Sequence, residues 1–380
     1  MKHNSKLPDV GTTIFTTMSN MAKKHNAINL SQGFPNFQSD QKLIDLVVDA
    51  MNSGFNQYAP MLGALPLREA IAAKFLDLYD SSYNTESEIV ITCGATQAIY
   101  TIISTFIHSD DEVILFKPAY DCYEPAIAVN GGKSIPIQLN YPDYKIDWTL
   151  VEKTITSNTK MIIINTPQNP CGTIFSKKDM LELERITKDS NIIILSDEVY
   201  EHMVFDGLTH QSACLFPELK KRTFITASFG KTFHNTGWKL GYCCGPEELM
   251  KEFIKVHQFN VYCVNHPTQV AIAKYMKNPN SYNELSQFFQ KKRDLFLDAI
   301  NGSRFKWHPT KATYFQVLDY SEITDESDIE YAKRLTIDKQ IASIPLSVFN
   351  ENLLDEKVLR FCFAKTDDTL LKAADILNSI

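Results

Sequence analysis

Lys231 stands in the run Ser228-Phe-Gly-Lys-Thr-Phe-His-Asn-Thr-Gly-Trp-Lys-Leu-Gly-Tyr242, in a small-residue turn just after an apolar strand pattern. An amine held among apolar neighbours loses its proton more readily, and a neutral lysine condenses with carbonyl compounds. A lysine is more often a plain solvated cation, so the reading depends on what converges on it. Asp197 follows the run Ile192-Ile-Ile-Leu-Ser196, which brings a carboxylate out at the carboxyl end of a buried strand, with Glu198 and Tyr200 just beyond. A buried carboxylate calls for a cationic partner. Asn169, beyond the strand pattern ending at Asn165, offers an amide NH2 to an oxyanion. Gly94-Ala-Thr-Gln97 joins a strand to a helix through small residues and leaves N–H groups free for an anion such as phosphate. Ser228 and Lys239, flanking Lys231, add a hydroxyl and a second cation for that anion. Arg360 sits inside the apolar run Val358-Leu-Arg-Phe-Cys-Phe363, where a cation is tolerable only with a buried anion.

These groups need a scaffold, and the apolar runs supply one. Ile89–Thr92, Glu112–Phe116, Met161–Asn165, Ile192–Ser196, Thr223–Thr226 and Lys239–Cys243 are apolar without alternation, which predicts strands covered on both faces. Helical spacing over Thr96–Ile107 and Lys178–Asp189 makes the centre of the chain α/β with a mostly parallel sheet. Ligands of such sheets lie beyond the carboxyl ends of the strands, where Asp197, Asn169 and Lys231 fall. After Pro279 the pattern changes to a long helix, Tyr282–Ile300, and shorter strands at Tyr314–Leu318, Ile341–Ile344 and Lys357–Phe363, a second α+β block. The expected division is 1–45 as an N-terminal arm and part of the small domain, 46–279 as the large domain, and 280–380 as the small C-terminal domain. At 380 residues, two domains are the natural expectation.

Composition narrows the partners. Lys and Arg total 38 against 45 Asp and Glu, for a net charge of −7, without a long basic run, which argues against nucleic acid. No signal-peptide core and no apolar run of about 18 residues occurs, so a cytoplasmic protein is expected, off the membrane. The eight cysteines are scattered, with neither Cys-x-x-Cys nor His-Glu-x-x-His, which predicts reduced thiols and no metal site. Cys171, in Asn165-Thr-Pro-Gln-Asn-Pro-Cys-Gly172, is the one nearest the chemistry, and a small loop filler is the favoured reading.

A pyridine aldehyde phosphate would use every group named so far: an amine for the aldehyde, a carboxylate for the ring nitrogen, and donors for the phenolic oxygen and the phosphate. The set resembles the class I aminotransferases of pyridoxal-phosphate fold type I. Ser228–Tyr242 is especially similar to the kynurenine, glutamine and methionine aminotransferase branch. The resemblance runs from Asn29-Leu-Ser-Gln-Gly-Phe-Pro35 through Asn56-Gln-Tyr-Ala-Pro60 to Leu359-Arg-Phe-Cys-Phe363, nearly the whole chain. It implies that Lys231 forms the Schiff base with pyridoxal 5'-phosphate and moves the substrate Cα proton, and that Asp197 keeps the pyridine nitrogen protonated. Tyr200 and Asn169 match the pair on the phenolic oxygen, and Tyr120 matches the aromatic stacked on the ring. Ala95 and Thr96 match the helix-start amides on the phosphate, joined by Ser228, Lys239 and, from the other subunit, Tyr58. That last match implies a homodimer with shared active sites. Arg360 matches the arginine that grips the substrate α-carboxylate, helped by the Gly33 backbone and Asn169. Two positions depart from many relatives: Lys239 stands where an arginine is common, and Gly230 where serine is. Both recur in the kynurenine and methionine branch.

The implied activity is ping-pong transfer of an amino group from a neutral donor, such as methionine, glutamine, kynurenine or an aromatic amino acid, to an α-keto acid. A carbon–sulfur β-lyase would use the same cofactor residues and stays open. Gly230-Lys-Thr232 imitates part of an ATPase phosphate loop, but such a loop needs glycine five residues before Gly230, and Ile225 stands there. A non-catalytic, cofactor-binding regulator would need a DNA-binding domain, and residues 1–28 before the first matching motif are too few for one.

Overall fold

The computed structural model describes residues 4–380. Twelve strands in chain order are β1 (Ile28–Asn29), β2 (Ile89–Thr92), β3 (Glu112–Lys117), β4 (Lys133–Gln138), β5 (Thr159–Asn165), β6 (Ile193–Asp197), β7 (Thr223–Ser228), β8 (Gly241–Cys244), β9 (Phe315–Asp319), β10 (Ile341–Ala342), β11 (Ile344–Pro345) and β12 (Val358–Cys362). Seven form the main sheet in the order β2-β8-β7-β6-β5-β3-β4. β8 runs antiparallel to both neighbours and the other pairings are parallel. The mostly parallel sheet therefore stands as expected.

Both faces of this sheet are dry, which explains why its strands read as unbroken apolar runs. Alternate residues enter two separate cores: Ile91, Ile162, Ile164 and Ile194 on one side, Val90, Met161, Ile163 and Leu195 on the other. β4 escaped the sequence reading because it is an edge strand. Its run Lys-Ser-Ile-Pro-Ile-Gln is polar and only partly buried, and Pro136 is tolerated where no further strand pairs. The expected strand over Lys239–Cys243 begins later, at Gly241. Lys239 instead closes a short helical turn, Thr236–Trp238, in the left-handed conformation at φ 53°. The long helix expected over Tyr282–Ile300 is two pieces, Asn280–Asn283 and Leu285–Ala299, divided at Glu284.

The second block holds the antiparallel sheet β11-β12-β9, and the N-terminal segment is stitched to it. β1 pairs in parallel with β10, and the Cys362 N–H donates to Leu30 O at 2.8 Å. These bonds carry the loop Ser31–Pro35 beside Arg360 of β12. The helix Gln41–Asn52 runs through position 45, where the sequence placed a division. Among the described residues, no helix is long and apolar enough to cross a membrane, and all eight cysteines are free.

A buried ionic network pins the turn after β6. Lys74, on the helix Leu65–Tyr79, pairs with Glu201, and both side chains are almost wholly enclosed. Tyr79 donates to the same carboxylate at 2.8 Å and Tyr242 at 3.1 Å. Burial, the largest single influence, would raise the Glu201 carboxyl, but the Lys74 charge and hydrogen bond together with His202 and His210 outweigh it and hold the pKa down at about 2. Lys74→Met keeps the apolar stem and strands the Glu201 charge, so unfolding stability should fall by about 3–5 kcal/mol. The urea midpoint measures this, and an unmoved midpoint would show that the network does not hold the turn.

Candidate active site

Because six strands of the sheet point the same way, their carboxyl ends gather the chemistry on one edge. Across that edge Thr92 pairs with Gly241 and Gly241 with Ser228, while Asp197 pairs with both Asn165 and Thr226. The loops leaving these positions wall a cleft lined by Ala95, Thr96, Tyr120, Asn169, Asp197, Tyr200, Ser228, Lys231 and Lys239. Nine expected site residues thus converge in one place.

Asp197 is buried at the cleft floor. Desolvation raises its carboxyl to about 6, opposed by a 2.6 Å hydrogen bond from the Tyr123 hydroxyl and a long one from the Val199 N–H. The nearby Lys231 charge also lowers it, but among the described residues no cation pairs with it directly. A protonated ring nitrogen set against this carboxylate would supply the missing charge and hold it ionised.

Lys231 rides on a single helical turn, Phe229–Thr232, that springs from the end of β7. The preceding residue must be small, since a Cβ on Gly230 would lie 2.9 Å from Thr236 Cα. Its stem is open to the cleft, but desolvation around the amine lowers the pKa to about 8, with the Arg360 and Lys239 charges acting the same way and Cys362 and Asp197 opposing. Nζ donates to Tyr314 Oη at 3.0 Å and to Gly33 O at 3.2 Å.

Arg360 lies one hydrogen bond behind the cleft wall, fully enclosed in the middle of β12. Nη1 donates to Asn169 Oδ1 at 2.7 Å and Nη2 to Ser31 O at 2.9 Å, while Nε has no partner. The guanidinium carbon sits 4.0 Å from the Phe315 ring centroid and 5.2 Å from that of Phe15. Among the described residues no carboxylate forms an ion pair with it, so the alternative of an internal salt bridge is not realised. A planar cation buried against neutral partners, with donors to spare, is suited to an incoming carboxylate. Asn169, which gives its carbonyl to Arg360, keeps its NH2 for another acceptor, and Asn165 accepts from its backbone N–H at 2.8 Å.

The phosphate end is built by backbone. Gly94 begins the helix Gly94–Phe106 at φ 73°, and no side chain caps that start. The N–H groups of its first turn are therefore free for an anion, favoured further by the helix dipole. A Cβ placed on Gly94 would lie 3.6 Å from Lys239 Nζ, which puts that ammonium beside the helix start. Gly241 allows the close approach, since a Cβ there would meet Ala227 O at 2.5 Å and Ala95 N at 3.0 Å.

Two expectations fall outside the cleft. Tyr58, expected at the other subunit's site, is 82% exposed, edge-on to Tyr262, and not among the residues that line its own chain's cleft. Cys171 is buried, and desolvation pushes its thiol well up, which makes it a filler rather than a nucleophile. Gly33 is brought in through its carbonyl oxygen. Sequence reasoning missed Tyr123 and Tyr314 altogether. Tyr123 had a faint signal, three positions after Tyr120 on the same turn, whereas Tyr314 read only as the first residue of a strand.

The donor set fits pyridoxal 5'-phosphate: an amine, a carboxylate for a ring cation, an amide and a phenol for an oxyanion, and a helix start with an ammonium for a phosphate. Fold and site together define an aminotransferase of fold type I. The family model for aminotransferase class I and II matches residues 25–377. The methionine aminotransferase of Escherichia coli strain K12 is 42% identical over 99% of this chain and 98% of its own length. The kynurenine–oxoglutarate transaminase of Dictyostelium discoideum is 32% identical over 99% of this chain and 96% of its own. The solved structure of YbdL from Escherichia coli, described there as having a methionine aminotransferase function, superposes with a TM-score of 0.98 over 100% of both chains at 42% identity. The chain belongs to the class I and II aminotransferase family, and its cofactor is pyridoxal phosphate.

The lowered basicity of Lys231 is directly measurable. Above pH about 8 its amine is neutral, whereas an ordinary lysine stays protonated to about 10.4. In cofactor-free protein, labelling of Lys231 by an acylating reagent, read by peptide mass spectrometry, should rise to half its maximum near pH 8. A midpoint at pH 10 or above would contradict the desolvated site.

Proposed function

We propose that this aminotransferase takes the amino group from a neutral amino acid, methionine or an aromatic or related donor, and passes it to an α-keto acid in two half-reactions at one site. The observation that carries this reading is Arg360, a buried guanidinium that forms no ion pair among the described residues, set beside a cleft whose lining holds no second arginine for a side-chain carboxylate. The names of the methionine and kynurenine relatives point the same way.

Bound pyridoxal phosphate supplies a carbonyl for the donor's amine and a ring that withdraws electrons from the substrate Cα. Lys231 would anchor it and, once displaced by the donor's amine, would carry the proton of the substrate Cα. Asp197 keeps the ring nitrogen protonated, while Tyr200 and Asn169 donate to the phenolic oxygen and Tyr120 packs on the ring. Ala95, Thr96, Ser228 and Lys239 hold the phosphate. Arg360, with Asn169 and the Gly33 backbone, orients the substrate carboxylate.

The same proposal makes the enzyme a homodimer in which Tyr58 completes the phosphate pocket of a second copy. Its 82% exposure on its own chain, edge-on to exposed Tyr262, supports that role. The free cysteines support a cytoplasmic enzyme. The β1–β10 pairing supports grouping the N-terminal segment with residues 280–380 in a small domain beside the large one, 46–279.

The visible spectrum of the holoenzyme should change on adding methionine and return on adding an α-keto acid. Lys231→Ala should abolish turnover, and full activity in that variant would sink the reading. Release of pyruvate, ammonia and a thiol from a cysteine S-conjugate without any acceptor would favour the β-lyase instead. Arg360→Lys, which loses the planar fork, should raise the donor KM about thirtyfold or more. Steady-state kinetics checks this, and an unchanged KM would remove Arg360 from carboxylate binding.

A further inference from the structure

Tyr314 immediately precedes β9, with its backbone fastened on two sides. The Phe363 N–H donates to Tyr314 O at 2.9 Å, and the neighbouring Thr313 N–H donates to Met203 O at 2.9 Å. The ring is fully enclosed, edge-on to Tyr200 at 5.2 Å and packed on Phe289 at 5.6 Å and Phe315 at 4.8 Å. The phenol oxygen emerges from this packing between Lys231 and Gly33, with the Tyr200 hydroxyl beside it.

A phenol has one proton to give. Here it goes to Gly33 O at 2.5 Å, which leaves the oxygen lone pairs as acceptors for the Lys231 amine at 3.0 Å. Gly33 O takes a second Lys231 proton at 3.2 Å. A neutral primary amine carries two N–H bonds and one lone pair. With both N–H bonds claimed on one side, the lone pair is left in the remaining tetrahedral direction. Gly33 cannot be exchanged for a larger residue in this arrangement, because a Cβ there would lie 2.8 Å from the Phe315 ring. The loop holding Gly33 also holds Ser31, whose carbonyl accepts from Arg360.

We propose that Tyr314 is a positioning residue that aims the Lys231 lone pair, by accepting one amine N–H while donating its own proton to Gly33 O, and so ties the reactive amine to the loop beside Arg360. The inference rests on Lys231 being the reactive amine. The groups facing that amine are Asp197 from β6, Arg360 and Cys362 from β12, Lys239 from the loop before β8, and Tyr200 and Tyr314 themselves. An acceptor stabilises an ammonium more than a neutral amine, so removing the Tyr314 hydroxyl makes Lys231 easier to deprotonate. A better-deprotonated amine that nonetheless works more slowly is the signature of lost aim.

The test uses Tyr314→Phe, which preserves the ring packing, beside Phe289→Leu, which disturbs the packing and leaves the hydroxyl. In cofactor-free protein, the pH midpoint for acylation of Lys231 should fall in Tyr314→Phe and stay put in Phe289→Leu. In the holoenzyme, the single-turnover rate with methionine should drop roughly tenfold to a hundredfold in Tyr314→Phe, with donor KM little changed. A melting curve confirms that both variants fold. The inference is overturned if Tyr314→Phe keeps the wild-type midpoint and rate, or if Phe289→Leu reproduces both changes. Should Lys231→Ala retain turnover, the assignment of the amine itself fails, a result distinct from either.

Discussion

The structure is organised by three ionisable groups held out of water without their counter-charges. Asp197, Lys231 and Arg360 each meet neutral partners where a surface residue would meet an ion or solvent: a tyrosine hydroxyl, a carbonyl, an amide oxygen. Such groups are costly to bury, and their displaced or opposed pKa values record that cost. A ligand carrying a ring cation, a carbonyl and a carboxylate supplies what all three lack. Binding is then strongest where the chemistry occurs, because the protein has already met the desolvation.

Holding unpaired charges requires rigid support, and one chain of hydrogen bonds provides it across the cleft. Arg360 donates to the Asn169 side chain, the Asn169 backbone donates to Asn165, and Asn165 donates to the Asp197 carbonyl. Strand ends from the large sheet and the middle of β12 from the small sheet are thereby held in one frame. The two-sided core of the large sheet keeps that frame still, since residues packed on both faces leave the strand ends few alternative positions.

What could be read from sequence follows from how locally each feature is encoded. Strands covered on both faces write themselves as apolar runs, and polar residues at or a few positions beyond the ends of those runs line the cleft. Asp197, Asn169 and Lys231 were legible for that reason. β4 was not, because an edge strand carries polar residues and proline. Tyr314 was not, because its role depends on a carbonyl far away in sequence, at Gly33, and nothing near Tyr314 marks that meeting. Tyr58 entered the expectation only through family resemblance, for its exposure on one chain gives it no local chemistry. Lys239 falls in the cleft as expected but not in a strand, because its left-handed backbone serves the turn that swings its side chain toward Gly94.

The short segment Asp197-Glu-Val-Tyr-Glu201 shows how the fold assigns different work to similar residues. Asp197, the last residue of β6, lines the cleft. Glu198 is also completely buried, but its carboxylate accepts from Ser196 Oγ and the Ala213 N–H and contacts His210 at 2.8 Å. Glu201 turns to Lys74. Two of the three acids are therefore satisfied within the protein and one is not. The satisfied pair fixes the backbone on either side of the unsatisfied one, so Asp197 can be held short of a cation without the turn rearranging to find it one. Exchanging the roles would need a shift of one residue in the β6 register, which would send the apolar residues of the strand to the opposite cores. The packing of the sheet thus selects which carboxylate faces the cleft.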